Sequence, residues 1–201
     1  YKVKKTIKIK MPKSTKIKMN VRHGEVKLAE NTKNIDATLS HASLLAATID
    51  GDKTMVMASY SPVSVEKWNY GQLQADYSDG VDLKEVINLH LNATSSEVSI
   101  ENLMKTAIIK NSFGPLSINT VSRDFETLNV SLQNAEFICN LPDTPYKIYV
   151  SGTESKFSAP AKFALRKMSS NGGIVHEGYN GNKNSDRSIV IDSNYSEVFL
   201  E

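Results

Sequence analysis

The sequence predicts an all-β chain folded as a single β-solenoid, a stack of two-strand coils of about 18 residues with an irregular β cap at the C-terminal end. Three observations carry this prediction. A turn of small, polar or aromatic residues followed by an apolar–x–apolar pair recurs along the chain from Val21 to Phe157. Around each copy apolar and other residues alternate with period 2, the signature of a strand with one buried face. Two short strands per copy cannot enclose a core alone, so successive copies must stack and bury a shared column.

The elements follow in chain order. Lys2-Val3-Lys4 and Lys8-Ile9-Lys10 alternate lysine with apolar residues, and Ile7, Ile9, Ile17 and Met19 continue the pattern. A terminal coil is an open sheet edge, and a lysine-faced strand pair would shield it. A basic patch for polyanions is the sharper alternative. The repeat then reads Arg22-His23-Gly24-Glu25-Val26-Lys27-Leu28, Ser40-His41-Ala42-Ser43-Leu44, Ser59-Tyr60-Ser61-Pro62-Val63-Ser64-Val65 and Tyr77-Ser78-Asp79-Gly80-Val81-Asp82-Leu83. It continues as Thr94-Ser95-Ser96-Glu97-Val98-Ser99-Ile100, Ser112-Phe113-Gly114-Pro115-Leu116-Ser117-Ile118 and Gln133-Asn134-Ala135-Glu136-Phe137-Ile138-Cys139, with a weaker Thr153-Glu154-Ser155-Lys156-Phe157. The anchors Val26, Leu44, Val63, Val81, Val98, Leu116, Phe137 and Phe157 step by 18, 19, 18, 17, 18, 21 and 20 residues. A second alternating run precedes most turns: Ile35-Ala37-Leu39, Met55-Met57, Leu73-Ala75, Leu89-Leu91-Ala93, Ile109 and Leu128-Val130-Leu132. Strands about 4.8 Å apart would make eight such coils a rod of roughly 35 to 40 Å. Leucine-rich repeats have a similar length, but their Leu-x-x-Leu-x-Leu frame is missing.

Residues 1–141 are therefore read as solenoid repeats with N-terminal capping strands, and 142–201 as continuation and cap of the same domain. After Leu141-Pro142 the period loosens. Pro145, Pro160, Gly172-Gly173 and Asn180-Gly181-Asn182 punctuate longer strands such as Lys162–Met168 and Ser188–Ile191. Ser193-Asn194-Tyr195-Ser196-Glu197-Val198-Phe199-Leu200 restates the repeat. Hairpins are expected to cap the rod before the chain returns for a last coil.

Composition excludes several functions. No apolar run approaches the roughly 20 residues that cross a bilayer. One cysteine, Cys139, allows neither an internal disulfide nor a Cys-based zinc finger. A net charge of +2 does not imply a nucleic-acid partner. Gly-x-Ser-x-Gly, His-Glu-x-x-His and a Gly-rich phosphate loop are all missing, so neither an enzyme nor a cofactor is indicated. The residues before the anchors (Glu25, Ser43, Pro62, Gly80, Glu97, Pro115, Glu136) put no two acids on neighbouring coils, as glycoside hydrolysis would need. Asp79 and Asp82 offer too few oxygens for calcium. Cys139 alternates with Phe137 and Leu141 and reads as inward filler; His90, between Leu89 and Leu91, reads as outward.

Aligned coils place His23, His41, Tyr60 and Tyr77 in one column, continued by Ser95 and Phe113; Tyr77 joins through a one-residue bulge at Asp79-Gly80. Such rings read first as a structural ladder. They also form a strip on which sugars or bases could stack. His23 and His41 could start a metal site, but further ligands are missing and no metal is expected. Trp68, in Glu66-Lys67-Trp68-Asn69-Tyr70-Gly71, is either a corner plug or an exposed carbohydrate contact. The candidate ligand-binding residues are thus His23, His41, Tyr60, Tyr77 and Trp68.

The segment Val21–Leu28, with Ala58-Ser59-Tyr60-Ser61-Pro62-Val63-Ser64-Val65 and Asn194-Tyr195-Ser196-Glu197-Val198-Phe199-Leu200, resembles an adhesin family of bacterial cell-envelope proteins related to the auto-transporter adhesin head GIN domain. Ile7-Lys8-Ile9-Lys10-Met11-Pro12-Lys13 is similar to that family's lead-in strand and Pro-Lys turn. The departure is at the turn, where only Gly24, Gly80 and Gly114 supply the family's glycine. The resemblance implies a β-solenoid exported to the periplasm, outer membrane or cell surface, with a non-catalytic, adhesin-like role and a glycan or surface protein as partner. The chain begins at Tyr1 without methionine or signal peptide, as expected of a processed or truncated chain whose signal or anchor lies upstream. The rival readings are a polysaccharide-active β-helix enzyme and a purely structural envelope rod.

Overall fold

The computed structural model describes residues 5–12, 15–163, 165–170 and 173–201. Among them every regular element is a strand: β1 (Lys18–Lys33), β2 (Asp36–Asp50), β3 (Met55–Ser59), β4 (Val63–Trp68), β5 (Gln72–Asp76), β6 (Val81–Thr94), β7 (Val98–Ser112) and β8 (Pro115–Val121), then β9 (Thr127–Gln133), β10 (Glu136–Cys139), β11 (Tyr146–Thr153), β12 (Lys156–Ser158), β13 (Arg166–Ser170), β14 (Gly173–Asn180), β15 (Ser188–Asn194) and β16 (Glu197–Leu200). No helix is long and apolar enough to cross a membrane. The chain is a β-solenoid. One wall runs β1–β2–β3–β5–β6–β7–β9–β15–β11–β14–β13. A second runs β1–β2–β4–β6–β7–β8–β10–β16–β12, all parallel.

The register matches the repeat. Val26, Leu44, Val63, Val81, Val98, Leu116 and Phe137 face one another strand to strand. From Leu44 onward this row is wholly buried. Parallel rows build the rest of the core: Ala37, Val56, Leu73, Leu91, Ile109 and Val130 on one side, and Ile49, Trp68, Val86, Leu103 and Val121 at the far bend. Cross-strand lysine–acid pairs such as Lys67–Glu85 (2.8 Å) and Lys84–Glu66 (2.8 Å) sit outside these rows. They are exposed and mainly favour the right register.

Four sequence expectations need correction. Phe157 is not the coil after Phe137: Val198 lies between them, paired to Phe137 on one side and Phe157 on the other. The chain skips a slot, builds β11–β12 one layer further on, makes the antiparallel β14–β13 hairpin, and returns with β15–β16 to fill the gap. The last coil is therefore an inserted layer. Second, Met55 and Met57 face outward while Val56 and Ala58 are buried. In Met-Val-Met-Ala both parities are apolar, so alternation cannot set the face, and register with Ala37 and Leu39 decides it.

Third, residues 5–12 form no shielding strand; Ile7 is 85% and Ile9 70% exposed. A lone strand at the end of a stack would bury its apolar side chains on one side only, against a β1 that is itself half-exposed, too little to offset ordering it. Lys2-Val3-Lys4 lies outside the described residues. Fourth, the strand expected over Lys162–Met168 is β13, starting at Arg166 after a turn in which Phe163 N–H bonds Pro160 O at 3.0 Å. Residues 164 and 172 are outside the description. Ser188–Ile191 lies within β15 as expected.

Candidate functional site

At the corner where each coil leaves the first wall, one residue adopts a left-handed backbone. His23 (φ 58°), His41 (53°), Tyr60 (52°), Tyr77 (52°), Ser95 (48°), Phe113 (59°), Asn134 (49°), Tyr195 (49°) and Glu154 (46°) occupy this position, ordered along the rod. The hydrogen bonds Tyr60 N–H to Asp76 O (2.9 Å), Tyr77 N–H to Thr94 O (2.9 Å), Asn134 N–H to Asn194 O (3.0 Å) and Tyr195 N–H to Thr153 O (2.9 Å) tie each corner to the next. Glycine and asparagine suit such backbone, whereas a bulky side chain there costs about 1–2 kcal/mol.

The residue after each corner explains how the turn is held. Ser61, Ser78 and Ser96 are buried beneath it. Ser61 Oγ accepts Ala42 N–H (3.1 Å), Ser78 Oγ accepts Ser61 N–H (3.0 Å) and Ser96 Oγ accepts Ser78 N–H (3.0 Å). Each hydroxyl then donates to a carbonyl two residues back, as Ser61 does to Ser59 O (2.7 Å) and Ser96 to Thr94 O (3.0 Å). Ser196 and Ser155 repeat the arrangement in the inserted layer and the one beyond. This serine ladder was missed in the sequence, though its signal is there: serine follows Tyr60, Tyr77, Ser95, Tyr195 and Glu154.

Outside the serines the rings stack. The His23 and His41 centroids lie 5.4 Å apart with planes tilted by 40°. His41 and Tyr60 stack at 4.9 Å and 12°, and Tyr60 and Tyr77 at 5.2 Å and 12°. Tyr60 is covered on both faces, by His41 and by Tyr77, and each tyrosine is 53% exposed, so it is mainly the ring edges that meet solvent. The Asp79-Gly80 bulge is present, with Gly80 at φ 81°. The column continues past Ser95 to Phe113 and, through the inserted layer, to Tyr195, both exposed.

Trp68 does not belong to this strip. Its side chain is enclosed in the buried row between Ile49 and Val86, with Nε1 lacking a hydrogen-bond partner. It is a core plug that no ligand reaches. His90 faces outward and Cys139 inward, where burial pushes the thiol up and keeps it protonated. Among the described residues no cluster of three or more His, Cys, Asp or Glu is arranged to hold a metal. The insertion does set two acids on neighbouring layers, Glu136 opposite Glu197, which the linear repeat does not anticipate. Glu197 is engaged by Lys156 across the next layer. No family model, curated protein or solved structure matches the chain.

Proposed function

We propose that this chain is a non-catalytic, adhesin-like binding module of an exported cell-envelope or surface protein, and that the His23–His41–Tyr60–Tyr77 strip is its contact surface. One observation carries this reading: large rings occupy left-handed corners where asparagine or glycine would serve the turn better, and they remain half exposed. Stacking at about 0.5–1 kcal/mol per pair, with the ring area buried, roughly balances the backbone strain, so the rings bring the corner little net stability. Strain retained at an exposed site is a reason to look for function there. The outward row of ring edges and tyrosine hydroxyls offers apolar and hydrogen-bonding contacts together, which makes a glycan the first ligand class and a surface protein the second.

The test is a thermal-shift and calorimetric screen against uncharged cell-wall saccharides and surface-protein fractions, comparing the wild type with a Tyr60→Asn/Tyr77→Asn double variant. Saturable stabilisation lost in the variant supports the proposal. Binding of equal strength in both proteins, or no binding of any saccharide or surface-protein fraction, overturns it.

A further inference from the structure

A second candidate surface lies at the far end of the rod and uses no residue of the ring strip. On the outer face of the first wall, β15, β11, β14 and β13 line an open depression of about 590 Å³, within the size range of small-ligand sites. Pairing fixes its geometry. Val190, Tyr149, Glu177 and Arg166 form one row across the four strands, and Ser188, Lys147 and Tyr179 form the row beside it. Lys183, on the loop between β14 and β15, closes one side. The floor is apolar and unusually open for a sheet centre: Val190 is 39%, Tyr149 41% and Tyr179 50% exposed.

Its charges are clustered and unpaired. Several lysines elsewhere on the rod meet an acid on the adjacent strand, as in Lys67–Glu85 and Lys84–Glu66. Here Lys147, Arg166 and Lys183 form no ion pair among the described residues. The single acid, Glu177, sits opposite Arg166 and Tyr149 without forming one within 4.0 Å. Three cations around an aromatic floor call for an anion with a flat apolar face. A nucleic acid is the poorer fit, because its dense phosphates need a continuous basic track and would meet Glu177 at the centre. In a chain of uronic acids the carboxylates are spaced by uncharged ring atoms. Sugar rings can lie on Tyr149 and Tyr179, carboxylates can reach Lys147, Arg166 and Lys183, and Glu177 can accept from ring hydroxyls.

We propose that the Lys147–Tyr149–Arg166–Tyr179–Lys183 depression is a binding site for an acidic, carboxylate-bearing glycan. The probe is tetragalacturonate, titrated into the whole chain by calorimetry, with uncharged maltotetraose as the comparison. The site predicts saturable binding of the acidic tetramer alone. Its affinity should fall about tenfold or more in Lys147→Ser/Lys183→Ser and in Tyr149→Ala, and stay unchanged in Tyr60→Asn/Tyr77→Asn and in the distant Lys27→Ser. Melting curves show whether each variant is folded, and Tyr149→Phe, which keeps the ring, should retain binding. Absence of saturable binding overturns the proposal. So does binding that survives the depression variants, or that Lys27→Ser weakens as much, since either outcome reduces the effect to general attraction of a polyanion.

Discussion

Replacing Tyr77 by asparagine separates what the ring does for stability from what it does for binding. The substitution removes the Tyr60 stack at 5.2 Å and 12°, a loss of about 0.5–1 kcal/mol. Tyr77 is 53% exposed, so the side-chain area lost beyond an asparagine is modest, about 40 Å² or 1 kcal/mol at 25 cal/mol/Å². Against this, φ is 52°, and moving from a bulky residue to one tolerant of left-handed backbone returns about 1 kcal/mol. Asn134 already occupies the equivalent corner at 49° in its own layer. The expected net destabilisation is under about 1 kcal/mol, a melting shift of at most about 4 °C for a chain of this length. Calorimetric melting of wild type and Tyr77→Asn measures it directly. A fall of 10 °C or more would show that the ring clamps the corner, and the argument from unexplained strain to function would collapse.

The adjacent residue should behave in the opposite way. Ser78→Ala removes the acceptor of Ser61 N–H (3.0 Å) and the donor to Asp76 O (3.1 Å) in a site closed to water, so chemical denaturation should show a loss of about 1–3 kcal/mol; a neutral result would mean the serine ladder is redundant. Deleting residues 187–201 opens a gap of two strand spacings, about 9.6 Å, between β10 and β12. Hydrogen exchange should then lose protection across residues 146–180 while residues 36–112 keep theirs, and uniform loss would show that the rod unfolds as one unit. His176 packs on Phe157 at 4.5 Å, and burial first, then Lys167 across the hairpin, lowers its pKa below the usual 6.5. The unfolded chain takes up the proton at higher pH than the folded one, so this contribution is full above pH 6.5 and is lost as pH falls through the folded value. The slope of melting temperature with pH in that window should flatten in His176→Gln.

How far the sequence discloses this structure depends on whether the information is local. The anchors from Val26 to Phe137 fix the layers because the inward row must be apolar at a constant step, and no alternative register buries them all. The corner column is equally legible, since His23, His41 and Tyr60 keep the same offset of three residues from their anchors. Met55-Val56-Met57-Ala58 is illegible by alternation alone because both faces are apolar. Trp68 is ambiguous for a different reason: a tryptophan beside a turn can lie inside or outside, and only its pairing with Ile49 and Val86 settles it. The position of Val198 between Phe137 and Phe157 lies beyond any periodic reading, because the repeat records the spacing of layers along the chain and not their order in space. The same insertion hides the Glu136–Glu197 neighbours and the completion of the ring column at Tyr195.

That insertion also sets a timetable. Neighbouring coils up to Cys139 touch across about one repeat, so the stack can grow by local zipping from any nucleus. Thr127 meets Ser188 and Phe137 meets Val198 across 61 residues. Closing a loop that long adds only about 1 kcal/mol of entropy over a coil-to-coil step, yet it requires β11 and its hairpin either to leave an empty slot or to dock together with β15. A chain delivered N-terminus first, whether from a ribosome or through a translocation pore, must therefore hold an unfinished stack with two naked strand edges until residues 188–200 emerge. The closing segment acts as a latch, and the interval before it engages is when the protein is most open to pairing with the wrong edge.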